Sequence, residues 1–284
     1  MKKKLFTAIG LMSGTSMDGV DLSLIKSDGN NEFVSILDNY CEYEGQLREK
    51  IVSLRKKINL SEDLNKYSND LNDLEREITL FHSKLIDETI KNYNEEIDLI
   101  GFHGQTIFHN PEQKISKQLA DGNLLSQLTK KIVINNFRSK DIQNGGQGAP
   151  LAPIFHKLIS KMINEKYRIN FPINFLNIGG ITNITHVGNS LYACDVGPGN
   201  CLIDEWIRKN SKEKYDKDGL IARSGKRNRL ILNQAFDNFQ FSNKSSLDIK
   251  NFDISFVKGL SIEDGASTLT ELTAELIREG LNNL

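Results

Sequence analysis

The sequence predicts an α/β protein made of two equivalent halves, and three observations carry that prediction. Apolar residues switch along the chain between the period of two that marks strands and the 3.6 that marks helices. Two short apolar strands, one near residue 9 and one near residue 176, each run through a glycine-bearing turn into a second, alternating strand. A compact apolar run at 97–102 reads as a buried parallel strand, and 132–135 as a further strand. A boundary falls near 167–172, dividing the chain into residues 1–168 and 169–284.

Composition sets the outer limits. The 284 residues include 38% hydrophobic and 26% charged residues, as expected of a globular chain with a sizeable core. A net charge of −1 gives no strong field for nucleic acid or an anionic membrane surface. Cys41, Cys194 and Cys201 form no Cys-x-x-Cys pair, so neither a disulfide framework nor a zinc site is indicated and a reducing cytoplasm fits. Met1-Lys2-Lys3-Lys4 ahead of a short apolar run faintly resembles a signal peptide, but no Ala-x-Ala site follows. No apolar run reaches the roughly 18 residues of a membrane span.

In the first half, 5–9 reads as a strand and Val20, Leu22 and Leu24 alternate along a second. The turn between them carries Gly14, Thr15, Ser16, Met17, Asp18 and Gly19. Such a tip fits either a phosphate cradle, because glycine lets the backbone come close, or an ordinary turn. The Lys and Ser/Thr spacing of a P-loop is absent, which excludes a Walker A motif. Residues 32–37 extend the hairpin to three strands. Leu47, Ile51, Leu54 and Ile58 mark one helix face, and Leu71, Leu74, Ile78, Phe81 and Leu85 a second.

The strand at 97–102 ends in His103-Gly104-Gln105-Thr106, a polar cluster expected beyond its carboxyl end, where ligands gather in open α/β sheets. His103 and His109 invite a metal-pair reading, but a structural or substrate-contacting histidine is favoured because no third ligand stands nearby. The strand at 132–135 empties into Arg138, Lys140 and Asp141, then Gly145-Gly146-Gln147-Gly148-Ala149-Pro150. The cations favour an ionised Asp141, a candidate general base, and the glycines beside it would let a ligand approach the backbone. Leu151, Ile154, Phe155, Leu158 and Met162 mark the apolar face of the next helix.

The second half repeats the opening. Residues 175–178, Gly179-Gly180 and 181–185 form a hairpin, and a third strand at 190–194 runs into Asp195-Val196-Gly197-Pro198-Gly199-Asn200. A helix with Leu202, Ile203, Trp206 and Ile207 follows. Residues 209–250 are polar, with a charged turn at Tyr215-Asp216-Lys217-Asp218-Gly219. Leu269, Leu272 and Leu276 mark a last helix, with Thr268 and Glu271 spaced as a capping box. Two halves with glycine-tipped hairpins suggest a nucleotide cleft between domains.

Seven ordered motifs between about residue 9 and residue 276 together resemble the anhydro-N-acetylmuramic acid kinases: Gly14-Thr15-Ser16-Met17-Asp18-Gly19-Val20-Asp21, His103-Gly104-Gln105-Thr106, Phe137-Arg138 with Asp141, Gly145 to Pro150, Asn177-Ile178-Gly179-Gly180, Asp195 to Asn200, and Tyr215 to Asp218. The resemblance implies two ribonuclease-H-like domains of the sugar kinase/Hsp70/actin type flanking a cleft. It implies a bacterial peptidoglycan-recycling enzyme of the cytoplasm that uses ATP and Mg²⁺ to phosphorylate the 6-oxygen of 1,6-anhydro-N-acetylmuramate while water opens the anhydro ring. Asp141 matches the base that activates this water. Gly14, Thr15, Ser16, Met17, Asp18, Gly19, Val20 and Asp21 match the first ATP-binding hairpin, and Asn177, Gly179 and Gly180 the second. His103, Gln105, Arg138 and Asp195 are the candidate sugar contacts, with Asp121 a further guess from position. No metal ligands are assigned, and a homodimer is a possible assembly. Family members continue further, through a glycine-rich adenosine loop and closing helices. The resemblance therefore implies a second domain incomplete at its C-terminus and leaves a non-catalytic sugar- or nucleotide-binding remnant as the alternative. A plain glycoside hydrolase is disfavoured, since only Asp141 stands out where two carboxylates are needed.

Overall fold

A computed structural model of the chain describes residues 4–91, 93–239, 247, 249 and 252–284. The start of the basic N-terminal run and part of the polar 209–250 stretch lie outside them. The chain divides into two compact units, Met1–Gly148 and Ala149–Leu284.

In the first unit, β1 (Phe6–Ser13), β2 (Gly19–Ser27) and β3 (Phe33–Glu42) form an antiparallel meander. The predicted alternation places Ile9, Leu11, Val20, Leu22 and Leu24 in the core. Helices α1 (Gly45–Lys57), α2 (Ser61–Lys66) and α3 (Ser68–Ile90) follow, and Ile51, Leu54, Leu71, Leu74, Ile78 and Leu85 bury the stripes that their spacing predicts. Strand β4 (Leu99–Asn110) then lies parallel to β1, β5 (Ile115–Leu119) folds back antiparallel to β4, and after α4 (Gly122–Thr129) strand β6 (Ile132–Asn135) pairs parallel to β4. The short helix α5 (Ser139–Gln143) closes the unit.

One expectation is corrected here. His103-Gly104-Gln105-Thr106 does not lie beyond the strand but inside β4. On one edge Leu99 to Phe102 pair with β6 and Gln105 to Asn110 with β5, so that edge serves two partners in succession, while β1 pairs along the other edge as far as Gln105. The changeover falls at Gly104, where φ is +70° and a Cβ would strike the Leu119 carbonyl.

The second unit begins with α6 (Pro153–Tyr167) and the antiparallel meander β7 (Ile173–Ile178), β8 (Ile181–Val187) and β9 (Leu191–Pro198), so the three-strand order of the first unit recurs. Helices α7 (Cys201–Asn210), α8 (Leu220–Ser224), α9 (Arg229–Asp237) and α10 (Ile262–Asn282) complete it. Trp206 is the centre of their core: its Nε1–H donates to the Ile262 carbonyl at 2.9 Å, and Gly265 of α10 leaves the room its indole needs.

Two local expectations change. The predicted apolar face of α6 is turned outward, with Ile154 79% exposed, while His156 stacks on Phe175 with ring centroids 4.6 Å apart and Ser160 is buried. Periodicity defines a helix face but not what covers it. The cap of α10 is Ser261, whose Oγ accepts from Asp264 N–H, and Thr268 sits mid-helix with its hydroxyl on the Asp264 carbonyl. Among the described residues no helix is long and apolar enough to cross a membrane.

Candidate active site

The β1–β2 tip is built on positions that side chains would obstruct. A Cβ on Gly19 would collide with the Cys41 carbonyl and the Tyr40 ring, so this glycine serves the seating of β2 on β3 rather than the turn alone. Met17 takes φ +54°, and its N–H closes the turn on the Gly14 carbonyl at 3.3 Å. Thr15, Ser16 and Asp18 are exposed, with Ser16 Oγ donating to Asp18 Oδ1 at 2.6 Å. The Val20 side chain is fully buried, so it belongs to the core beneath the tip. Burial, followed by the charge of Asp18, raises the Asp21 pKa, and Tyr40 is pushed up to about 12 by burial with the same carboxylate beside it.

Two residues from elsewhere brace this tip. Gln105, fully buried, donates its side-chain amide to the Gly14 carbonyl at 3.0 Å. Tyr43, just past β3, donates its backbone N–H to the Asp18 carbonyl at 2.9 Å, and its hydroxyl shares a buried hydrogen bond with Ser13 at 2.7 Å. Gln105 thus contacts backbone, an arrangement that becomes readable only once β1 and β4 lie in register with Ser13 opposite Gln105.

Asp141 sits on α5, exposed, inside a glycine loop. Its Oδ2 accepts from Gly148 N–H at 2.7 Å, and its carbonyl accepts from Gly146 N–H at 2.9 Å. A Cβ on Gly146 would collide with the Asp141 carboxylate. The glycines therefore admit the aspartate itself against the loop backbone, where the sequence suggested room for a ligand. Arg138 does not pair with Asp141 despite their closeness in sequence. Its Nε and Nη2 face Nε2 of His103 at 3.1 and 2.9 Å, and its Nη1 donates to the Gly148 carbonyl at 2.5 Å. The other His103 nitrogen, Nδ1, lies 2.7 Å from the Gly104 carbonyl and must carry the proton, so Nε2 is a bare acceptor. Burial, and then the Arg138 charge, hold His103 down to about 4, which keeps the ring neutral.

His103, Arg138 and Asp141 are therefore one hydrogen-bonded group that includes Gly148, with Gln105 two residues away on β4. Asp121 instead caps α4, accepting from Leu124 N–H at 2.9 Å, and His109 bonds Ser116. Among the described residues no cluster of three or more metal-ligating side chains occurs.

In the second unit the β7–β8 tip is fastened by the segment entering α7. Gly199 and Cys201 N–H donate to the Gly180 carbonyl at 2.9 and 3.3 Å, and Asn200 N–H donates to Gly179 at 2.8 Å. Gly199 approaches so closely that a Cβ would strike the Gly179 carbonyl. Thr273 of α10 donates its hydroxyl to the Gly199 carbonyl at 3.0 Å. Asn177 is exposed beside this tip, while Asp195, inside β9, accepts from Leu247 N–H at 2.8 Å. Asp216 of the charged turn accepts from the Ile221 and Ala222 N–H groups at 2.8 Å each, as a backbone cap.

The family model for anhydro-N-acetylmuramic acid kinase matches residues 6–284. The chain belongs to the anhydro-N-acetylmuramic acid kinase family. Proteins of that name from Pelagibacter ubique, Zymomonas mobilis and Brucella canis are 55%, 39% and 35% identical to it. These matches cover 98%, 97% and 98% of this chain and 75%, 76% and 76% of the respective relatives. A kinase of this family takes its phosphoryl group from ATP, and the glycine-tipped hairpins and the Asp141 loop fall inside the matched region of this anhydro-N-acetylmuramic acid kinase family member.

Proposed function

We propose that the chain is an ATP-dependent phosphotransferase with an alcohol acceptor, converting 1,6-anhydro-N-acetylmuramate to N-acetylmuramate 6-phosphate in peptidoglycan recycling in the cytoplasm. Family membership over residues 6–284 supports the reaction, and the exposed carboxylate of Asp141, steadied through Oδ2 by Gly148, supports the assignment of the base. In this reading each unit is a ribonuclease-H-like domain of the sugar kinase type.

Asp141 takes a proton from a water whose oxygen attacks the anomeric carbon. The bond from that carbon to the 6-oxygen breaks, the freed 6-oxygen takes the terminal phosphoryl group of ATP, and ADP leaves. Phosphoryl transfer depends on positioning and charge neutralisation more than on covalent help, which a rigid backbone tip supplies. Gly14, Thr15, Ser16, Met17 and Asp18, and in the second unit Asn177, Gly179 and Gly180, are the proposed phosphate-contacting segments. Mg²⁺ needs only one or two protein carboxylates, the rest of its shell coming from phosphate and water. Asp18 at the tip and Asp21 on the strand that leaves it, both exposed, fit that role, and the ion would supply charge neutralisation at the transferring phosphate.

The test is a coupled assay of ADP release with the anhydro sugar, read together with sugar phosphate formation. Turnover that falls about a thousandfold in Asp141→Asn while nucleotide binding persists supports the assignment. Full turnover in that variant, or sugar binding by the parent chain with no transfer, would overturn it.

A further inference from the structure

The carboxylate of a general base must be held so that one oxygen meets the water with its lone pair aligned. The partner of Asp141 Oδ2 is the N–H of Gly148. Gly148 is a poor anchor taken alone. It has no side chain, it stands at φ +67°, and glycine explores more of torsion space than any other residue. It cannot be exchanged for a stiffer residue, because a Cβ there would press into the Ile142 side chain at 2.7 Å. The loop that holds the base is therefore soft where it needs to be stiff, unless something outside it restrains Gly148.

That restraint is present. Arg138 Nη1 donates to the Gly148 carbonyl at 2.5 Å. The guanidinium is a rigid planar fork, so fixing its other nitrogens fixes Nη1. Nε and Nη2 both rest on the single lone pair of His103 Nε2. His103 in turn is oriented by its Nδ1–H on the Gly104 carbonyl and is only 5% exposed on β4. A four-link path thus runs from the central strand to the carboxylate: β4 backbone, imidazole, guanidinium, Gly148, Asp141. Every polar atom of the His103 ring and three of the Arg138 nitrogens are used within it.

We infer that His103 and Arg138 are positioning residues for Asp141, clamping Gly148 so that its N–H holds Oδ2 and Oδ1 is presented to the water, and that they are not sugar contacts. This rests on the reading of Asp141 as the general base.

Arg138→Lys keeps the charge but cannot bridge His103 and Gly148 at once. His103→Leu removes the acceptor, and His103→Gln offers an amide oxygen in its place. A clamp predicts that kcat falls about a hundredfold in Arg138→Lys and His103→Leu, the size expected when a reacting group is displaced by about an ångström. KM for both substrates should stay within about threefold, and His103→Gln should recover at least about tenfold of the loss. Because the clamp acts through Asp141, Arg138→Lys added to Asp141→Asn should cost nothing further. A tenfold rise in sugar KM with kcat intact would overturn the clamp in favour of sugar contact, and additive losses in the double variant would also overturn it. Hydrogen exchange of the Gly148 amide reads the clamp without turnover. Protection in the parent chain that is lost in Arg138→Lys supports the clamp even if the parent phosphorylates no sugar, a result that would sink only the kinase reading. Equal exchange in parent and variant would overturn the clamp even in an active kinase.

Discussion

The side-chain amide of Gln105 donates to the backbone carbonyl of Gly14 at 3.0 Å, tying the centre of β4 to the tip of the β1–β2 hairpin. Its Oε1 is buried with no hydrogen-bond partner among the described residues. The bond to Gly14 is thus worth about 1 kcal/mol, the long 3.5 Å contact of the same amide with the Thr106 carbonyl adds little, and the unsatisfied acceptor costs about 1–3 kcal/mol. Gln105→Leu should therefore leave the melting temperature unchanged or slightly raised. The tip, however, loses its brace, and the KM for ATP should rise roughly tenfold, equivalent to about 1.4 kcal/mol. Thermal unfolding and ATP kinetics on one preparation check both halves, and a large drop in stability with unchanged KM would refute the account.

Gly146 faces the Asp141 carboxylate with no room for a Cβ. Gly146→Ala should force the carboxylate off Gly148 N–H and reduce kcat about tenfold or more, with little effect on unfolding, because the carboxylate is exposed and can swing into solvent. Gly145→Ala is the control. Nothing lies near its Cβ, but φ is +89°, so it should cost about 1 kcal/mol of stability with a smaller kinetic effect. The reverse ranking of kcat in the two variants would show that the loop does not set the carboxylate.

His82 and His103 give the first unit a distinctive acid sensitivity. Both are held down to about 4, chiefly by burial. His82 donates Nδ1–H to the Ile78 carbonyl and leaves Nε2 buried and unpartnered among the described residues. In the unfolded chain both titrate near 6.5, so the unfolded state binds more protons between the two values. Their neutral burial is therefore fully compatible with stability above about pH 6.5, and stability falls as pH drops towards 4, by on the order of 3 kcal/mol per histidine. Urea unfolding from pH 7 to 4.5 should show the loss, and His82→Phe should roughly halve it, His103 keeping its share. A His82→Phe chain with the parent's pH slope would show that this ring is not the source.

The second hairpin depends on Gly199 and on α10. Gly199→Ala should drive a methyl into the Gly179 carbonyl and cost roughly 1–3 kcal/mol, as overpacked sites do. Thr273→Val removes only the hydrogen bond to the Gly199 carbonyl and strands that buried acceptor, at roughly 1–2 kcal/mol. Denaturant unfolding gives both values, and a Thr273→Val chain as stable as the parent would mean that α10 does not fasten this tip.

Much of the fold is legible in the sequence. The alternation of Val20, Leu22 and Leu24, the helical spacing of Ile51, Leu54, Ile78 and Leu85, and the paired hairpins all reflect local periodicity, which backbone geometry turns directly into buried faces. The candidate site was legible as a set of motifs, but not as a set of contacts. Arg138 stands three residues from Asp141, and the sequence placed its charge beside that carboxylate. The structure sends the guanidinium to His103, on a strand 35 residues earlier, because β4 and β6 pair in parallel with Phe102 opposite Asn135, which sets the segment leaving β6 beside the middle of β4.

By itself, the sequence determined the α/β character, the two glycine-tipped hairpins and the family, and it singled out Asp141 as the candidate base. Each of these follows from local spacing, from residue type or from ordered motifs. Only the tertiary structure decided that the glycines after Asp141 make room for its own carboxylate, that Gln105 braces the Gly14 tip, that Thr268 is no cap, and that the apolar stripe of α6 faces outward. These are questions of which distant backbone approaches a side chain. A one-dimensional pattern of spacing holds no information about that approach until strand register and helix rotation are fixed.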